Sequence, residues 1–286
     1  MIAIKNLHFH YLRNYKPVID QLSTTFYPGQ IYGLLGLNGV GKTTLLKLIA
    51  GITFPKKGEI RVFDKIPSER EVGFLSDLYF FEDEVQLPSW PLQKWLKVYS
   101  SIYTNFDQIL FEDLLSQFSI DPDMHISNLS YGQKKKLNIA FGIATRSRIL
   151  LMDEPANGLD IPSKSQLRRV LAKHTSQDSV VIISTHQIRD IHPLIDHLLI
   201  LKDHRLVIDQ SIEQLSKLFK VTTAPQEHDT IIYTEENMYG RKYVVKMQEN
   251  LDENLFDIEL FFNAVITNLD TTTISDHINT KTYESI

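Results

Sequence analysis

The chain has 286 residues, 43% of them hydrophobic and 23% charged, which fits one large folded domain, or a domain with an appendage, and excludes an extensively disordered or fibrous protein. Its longest aliphatic runs, Ile149–Met152, Val180–Ile183 and Leu198–Leu201, fall far short of the roughly 20 residues that cross a bilayer, and the absence of cysteine excludes disulfides, thiolate zinc sites and cysteine nucleophiles. The net charge of −5 is unevenly spread: residues from Val221 onward carry 12 acidic and 4 basic side chains, whereas residues 1–220 carry 23 acidic and 26 basic.

The opening segment MIAIKNLHFH has no basic stretch followed by an apolar core and a small-residue cleavage site, so a cytoplasmic location is expected. Strand-like runs follow at Ile2–Ile4, Leu22–Phe26, Ile31–Leu35, Ile60–Phe63 and Val72–Leu75, punctuated by Pro28-Gly29 and Pro55-Lys56-Lys57-Gly58, with a helix over Lys42–Ala50. From Pro91 to Phe118 the period changes: Trp95, Val98, Tyr99, Ile102 and Tyr103, then Leu110, Phe111, Leu114, Leu115 and Phe118, predict an all-helical insert. The three aliphatic runs then alternate with helical patterns, which predicts a mainly parallel sheet covered on both faces. Ser211 can cap a last helix through Phe219, and Thr222–Asp229 reads as a polar linker. Beyond it lie strand candidates Thr230–Thr234 and Lys242–Met247 and a helix candidate from Asp252 to about Val265.

The run Ile31–Leu35 leads directly into Gly36-Leu37-Asn38-Gly39-Val40-Gly41-Lys42-Thr43, a G-x-x-x-x-G-K-[ST] string at the start of a predicted helix. Glycines let the backbone wrap a phosphate, and successive N–H groups with the helix N-terminus form the anion site; Lys42 suits the β- and γ-phosphates and the Thr43 hydroxyl suits magnesium. Arg148-Ile149-Leu150-Leu151-Met152-Asp153-Glu154-Pro155 is an apolar strand ending in two carboxylates. In phosphoryl transfer one carboxylate holds magnesium and a second positions or deprotonates the attacking water; Asp153 suits the first role and Glu154 the second. Ser130-Tyr131-Gly132-Gln133 has the spacing of a capping box ahead of a helix striped by Leu137, Ala140, Phe141 and Ala144. The following Lys134-Lys135-Lys136 suits anion attraction at that helix end or, in a plainer reading, a solvated lysine face.

Together these residues resemble the ATP-binding cassette (ABC) family, the nucleotide-binding subunits of ABC transporters, across residues 1–220. Gly36–Thr43 is similar to Walker A, Leu150–Glu154 to Walker B, Leu129-Ser130-Tyr131-Gly132-Gln133 to the LSGGQ signature with Tyr in third place, and Asn157-Gly158-Leu159-Asp160 to the D-loop. His186 in Ser184-Thr185-His186 resembles the switch histidine. The resemblance implies an α/β fold: a P-loop (RecA-like) core with an N-terminal antiparallel β subdomain, a helical subdomain inserted at about 78–145, and a small α+β appendage over residues 221–286. It implies catalysis by Glu154, His186 and Lys42. ATP would be bound by Asn38, Gly39, Val40, Gly41, Lys42, Thr43 and Thr44, and, across a dimer, by Ser130, Gly132, Gln133 and Asp160. Tyr11 is the best match for the aromatic that stacks on adenine, with Tyr15 and Phe9 close by. Magnesium would be held by Thr43 and Asp153. Where the family places the Q-loop glutamine, after Val72-Gly73-Phe74-Leu75, this chain has Ser76-Asp77, and a carboxylate at Asp77 can serve magnesium as an amide oxygen can.

The resemblance further implies two cassettes, identical or not, closing on two ATP and driving an integral membrane permease from the inner face of the cell membrane. Leu78-Tyr79-Phe80-Phe81, Trp90 and Trp95 suit either a docking groove for that permease or the core of the helical subdomain. The tail Phe256–Ala264 resembles the ends of bacterial exporter cassettes, which favours an exporter. An importer cassette with a regulatory tail, and an ATP-dependent regulator that dimerises without transport, are the alternatives. The acidic tail argues against a nucleic-acid partner.

Overall fold

The computed structural model describes residues 1–11, 16–227, 229–238, 240–247 and 256–267. A three-stranded antiparallel sheet sets β1 (Ile2–Phe9) between β2 (Ile19–Phe26) and β4 (Lys57–Val62). The central six-stranded sheet has the order β5-β6-β7-β3-β8-β9, with β3 at Gln30–Gly36, β5 at Leu78–Phe81, β6 at Ile149–Asp153, β7 at Val180–Thr185, β8 at His197–Lys202 and β9 at Arg205–Ser211. Its first five strands are parallel. Strand β9, which period alone did not reveal, returns antiparallel through Asp203-His204, both at positive φ as a two-residue hairpin of matching twist requires.

Helix α1 (Lys42–Ile49) follows β3 and packs with the antiparallel sheet on one face of the central sheet, around Phe26, Leu45, Ile149 and Ile182. The other face is covered by the insert, α3 (Leu92–Ser100), α4 (Gln108–Gln117) and α5 (Tyr131–Ala144), and by α6 (Ile161–His174); their core gathers Trp95, Phe111, Phe141 and Leu167. Parallel strands buried on both faces explain the continuous aliphatic runs.

Val72–Leu75 is a single helical turn, α2, and not the expected strand. Of two adjacent apolar runs only Leu78–Phe81 reaches the sheet, where Tyr79 and Phe81 are buried; Val72 stays 84% exposed. Tyr79 packs 5.8 Å from the Phe141 ring and its hydroxyl donates to the Asn138 carbonyl, so these aromatics belong to the interior rather than to a docking groove. After β9 comes helix α7 (Ile212–Leu218), capped by Ser211, whose Oγ accepts from the Gln214 N–H at 3.2 Å. Phe219 leaves that helix to begin β10 (Phe219–Thr222), in an antiparallel sheet of order β10-β12-β11 with β11 at Thr230–Asn237 and β12 at Gly240–Lys246. Helix α8 (Ile258–Thr267) closes this unit; residues 252–255 of the expected helix lie outside the described residues. Phe219, Val244, Phe261 and Val265 share one core with Leu198, Ile200 and Ile208 of the central sheet.

Candidate functional site

The site forms where β3, β6 and β7 end side by side. The parallel register sets Leu35 against Thr185 and Asp153 against Ser184, so the loop after β3, the carboxylates after β6 and the histidine after β7 emerge at one sheet edge. Between β3 and α1 the chain turns through Gly39 (φ 80°) and Gly41 (φ 118°). Val40 turns its side chain into the core, leaving its backbone to the loop. Lys42 is buried: its ammonium donates to the Gly36 carbonyl at 2.8 Å and to Leu37 at 3.3 Å, 3.9 Å from Glu154 Oε1. Burial lowers its pKa, against the opposing pull of Glu154 and Asp153.

Thr43 Oγ1 donates to Asp153 Oδ2 at 2.6 Å, and Ser184 Oγ donates to the other carboxylate oxygen. Burial raises the Asp153 pKa while these two hydroxyls lower it. Glu154 lies just past the strand at φ 47°, a left-handed conformation that turns its side chain away from the ladder. Its Oε1 is 2.8 Å from His186 Nδ1, and its Oε2 accepts from Thr185 Oγ1 at 3.0 Å and from the His186 N–H at 3.4 Å. A carboxylate, an imidazole and an ammonium thus converge on the mouth of the glycine loop. The open cleft above them has a volume of about 800 Å³ and is lined also by Asn38, Gly39, Thr44 and Tyr11. The Tyr11 hydroxyl lies 3.1 Å from Thr44 Oγ1 and its ring stands edge-on to Phe9, which is itself buried; Tyr15 lies outside the described residues.

Four of the expected binding residues stand apart from this cleft. Ser130 caps α5: its Oγ accepts from the Gln133 N–H at 3.3 Å while Gln133 Oε1 accepts from the Ser130 N–H at 2.9 Å. Gly132 follows on the same turn. Asp160 caps α6 by accepting from the Ser163 N–H at 2.9 Å, and the Ser163 hydroxyl first, then that N–H, lower its pKa. None of the four lines the cleft formed by its own chain.

Asp77 is corrected by the structure. Its carbonyl accepts from the Ile149 N–H, at the start of β6, and its carboxylate faces Arg148 at 3.8 Å. Asp153 ends the same strand, so Asp77 lies about 13 Å away at roughly 3.3 Å per strand residue, at the opposite edge of the sheet, and cannot hold a metal there. Besides Asp153 and Glu154, the acidic residues lining the cleft are Glu82, Asp83 and Glu84. They directly follow the buried strand Leu78–Phe81 as Asp153 and Glu154 follow Ile149–Met152. That repeated pattern, an apolar strand ending in carboxylates, was the available signal. The lysine run also divides: Lys135 is fully buried and not part of a solvated face.

Residues 19–157 match the family model described as ABC transporter. The chain is 30% identical over 198 residues to the uncharacterized ABC transporter ATP-binding protein YybJ of Bacillus subtilis (strain 168), covering 68% of this chain and 90% of that one. It is 26% identical over 200 residues to the Nod factor export ATP-binding protein I of Neorhizobium galegae, covering 68% of this chain and 58% of that one. The fold is shared with the dimeric structure of a post-hydrolysis state of the ATP-binding cassette MJ0796 bound to ADP and Pi, at a TM-score of 0.65 and 19% identity over 74% of this chain and 99% of that one.

Proposed function

Because the chain belongs to the family of ABC transporter ATP-binding proteins, we propose that it is the ATPase subunit of a multi-chain exporter, closing with a second cassette on two ATP molecules to drive a separate membrane subunit. The observation that carries this reading is the meeting of Lys42, Thr43, Asp153, Glu154 and His186 at one sheet edge over the phosphate loop. The backbone N–H groups of residues 38–43 receive the phosphates of ATP, and Lys42 exchanges its two loop carbonyls for phosphate oxygens. The Thr43 hydroxyl and the Asp153 carboxylate are hard oxygen donors 2.6 Å apart and fit magnesium. An ion held by these two groups would neutralise charge on the phosphates. Glu154, held by Thr185 and the His186 backbone N–H, takes the proton of the attacking water, and His186 faces the terminal phosphate. Tyr11 offers its half-exposed ring to the base.

The capped end of α5 stands away from its own cleft, so Ser130, Gly132 and Gln133 complete the cleft of a second cassette, identical or different. Among the described residues no helix is long and apolar enough to cross a membrane. In this reading the membrane path is that of a partner permease, with this chain at its cytoplasmic face. The likeness to a relative named for export supports the outward direction. In Glu154→Gln, ATP binding persists and turnover falls on the order of a hundredfold; wild-type turnover in that variant overturns the assignment. Copurification with an integral membrane protein supports the transporter reading, and recovery of soluble partners alone favours the regulator.

A further inference from the structure

A lysine with no exposed surface requires an explanation, because an ammonium removed from water must be matched by acceptors. Lys135, on the first turns of α5, has three. Its Nζ donates to Asp83 Oδ1 at 2.9 Å, to the Glu154 carbonyl at 3.0 Å and to the Asn157 carbonyl at 2.7 Å. The last two are the ends of one turn, closed by the Asn157 N–H donating to the Glu154 carbonyl at 3.1 Å. Asp83 in turn accepts from Asn157 Nδ2 at 3.3 Å. Around the ammonium lie the Phe81 and Tyr131 rings, 5.8 and 5.7 Å away, and the Tyr131 hydroxyl donates to the Asp83 carbonyl at 3.1 Å. One cation therefore joins the helix that begins at Ser130, the acidic loop after β5, and the turn that carries Glu154.

Glu154 sits at φ 47°, a conformation that strains an ordinary side chain and persists only where the surroundings impose it. On the backbone side its N–H donates to the Ser184 carbonyl at 3.0 Å and its own carbonyl accepts from the Asn157 N–H and from Lys135, the one side chain among these contacts, while Thr185 and His186 hold its carboxylate. We propose that Lys135, paired with Asp83, is a positioning residue for hydrolysis: it holds the Glu154–Asn157 turn so that the Glu154 carboxylate faces the attacking water, and ties that geometry to the end of α5 offered to the second cassette. This rests on the assignment of Glu154 as the base.

The test compares Lys135→Met, Lys135→Arg and Asp83→Asn with the wild-type full-length chain and with Glu154→Gln, measuring kcat and KM for ATP, the affinity for a fluorescent ATP analogue, and thermal melting. Methionine fills the space of the lysine stem and leaves two carbonyls and a carboxylate without their donor. Its kcat falls on the order of a hundredfold, the loss that misplacing a catalytic group produces, with KM and analogue affinity within about twofold. Arginine, which keeps the charge and donors, recovers most of that loss, and Asp83→Asn lowers kcat with KM unchanged. Wild-type kcat in Lys135→Met beside an inactive Glu154→Gln overturns this proposal alone. Wild-type kcat in Glu154→Gln overturns the assignment of the base beneath it. Should Lys135→Met not fold, Asp83→Asn decides: an unchanged kcat there overturns the role of the pair.

Discussion

Gly41 shows how a single residue's backbone shapes the site. Its φ of 118° lies where L side chains are strained, and a Cβ placed there would meet the Val18 carbonyl oxygen at 2.6 Å. Gly41→Ala therefore moves either the phosphate loop or β2, at a cost of about 1–3 kcal/mol. The expected outcome is a KM for ATP raised between about fivefold and about a hundredfold, by the arithmetic of 1.4 kcal/mol per decade, with a lowered melting temperature, checked by steady-state kinetics and calorimetry. Lys42, Thr43, Asp153, Glu154 and His186 were legible in the sequence because each lies on or beside a strand end whose apolar run announces it. Asp83 and Lys135 were not. Their roles depend on which of two neighbouring apolar runs joins the sheet and on which way one face of α5 points, and both are decided by packing.

Helix α4 shows what a capping contact contributes at the scale of an element. Asp107 accepts from the Leu110 N–H at 2.9 Å and pairs with Arg146 at 3.0 Å. The first contact, then the second, holds its carboxyl below its ordinary pKa of 3.8. A depressed folded-state pKa contributes stability that is complete above the unfolded pKa and is lost as pH falls through the folded one. Asp107→Ala should cost about 1 kcal/mol at neutral pH, and the gap in melting temperature from wild type should close as the medium is acidified below the ordinary carboxylate range. A gap independent of pH would show that packing, not the charged cap, is what the substitution removes. The turn Val72–Leu75 belongs to this scale too. Four apolar-looking residues carry no period long enough to separate strand from helix, and pairing of Leu78–Phe81 with β6 settles the matter.

For the whole molecule, the acidic segment after α7 packs against the central sheet. Phe219, Ile200, Leu198 and Leu215, all without exposed surface, share a core with Val244 and Phe261. Each large apolar side chain so buried is worth about 1.5–3 kcal/mol. A chain ending at Lys220 should therefore melt at a lower temperature and aggregate more readily than the full chain, measured by calorimetry and light scattering; equal melting would mean the cassette closes its core alone. Local sequence was enough to place the candidate residues of the cleft and the alternation that builds a parallel sheet, because both depend on short-range order: a loop of fixed spacing, and apolar runs of strand length. That Asp83 rather than Asp77 reaches the cleft, that Lys135 is buried, and that the tail shares a core with the central sheet came from packing alone. Strand order, register and the facing of helices arise from contacts between residues far apart in the chain, and no local pattern encodes them.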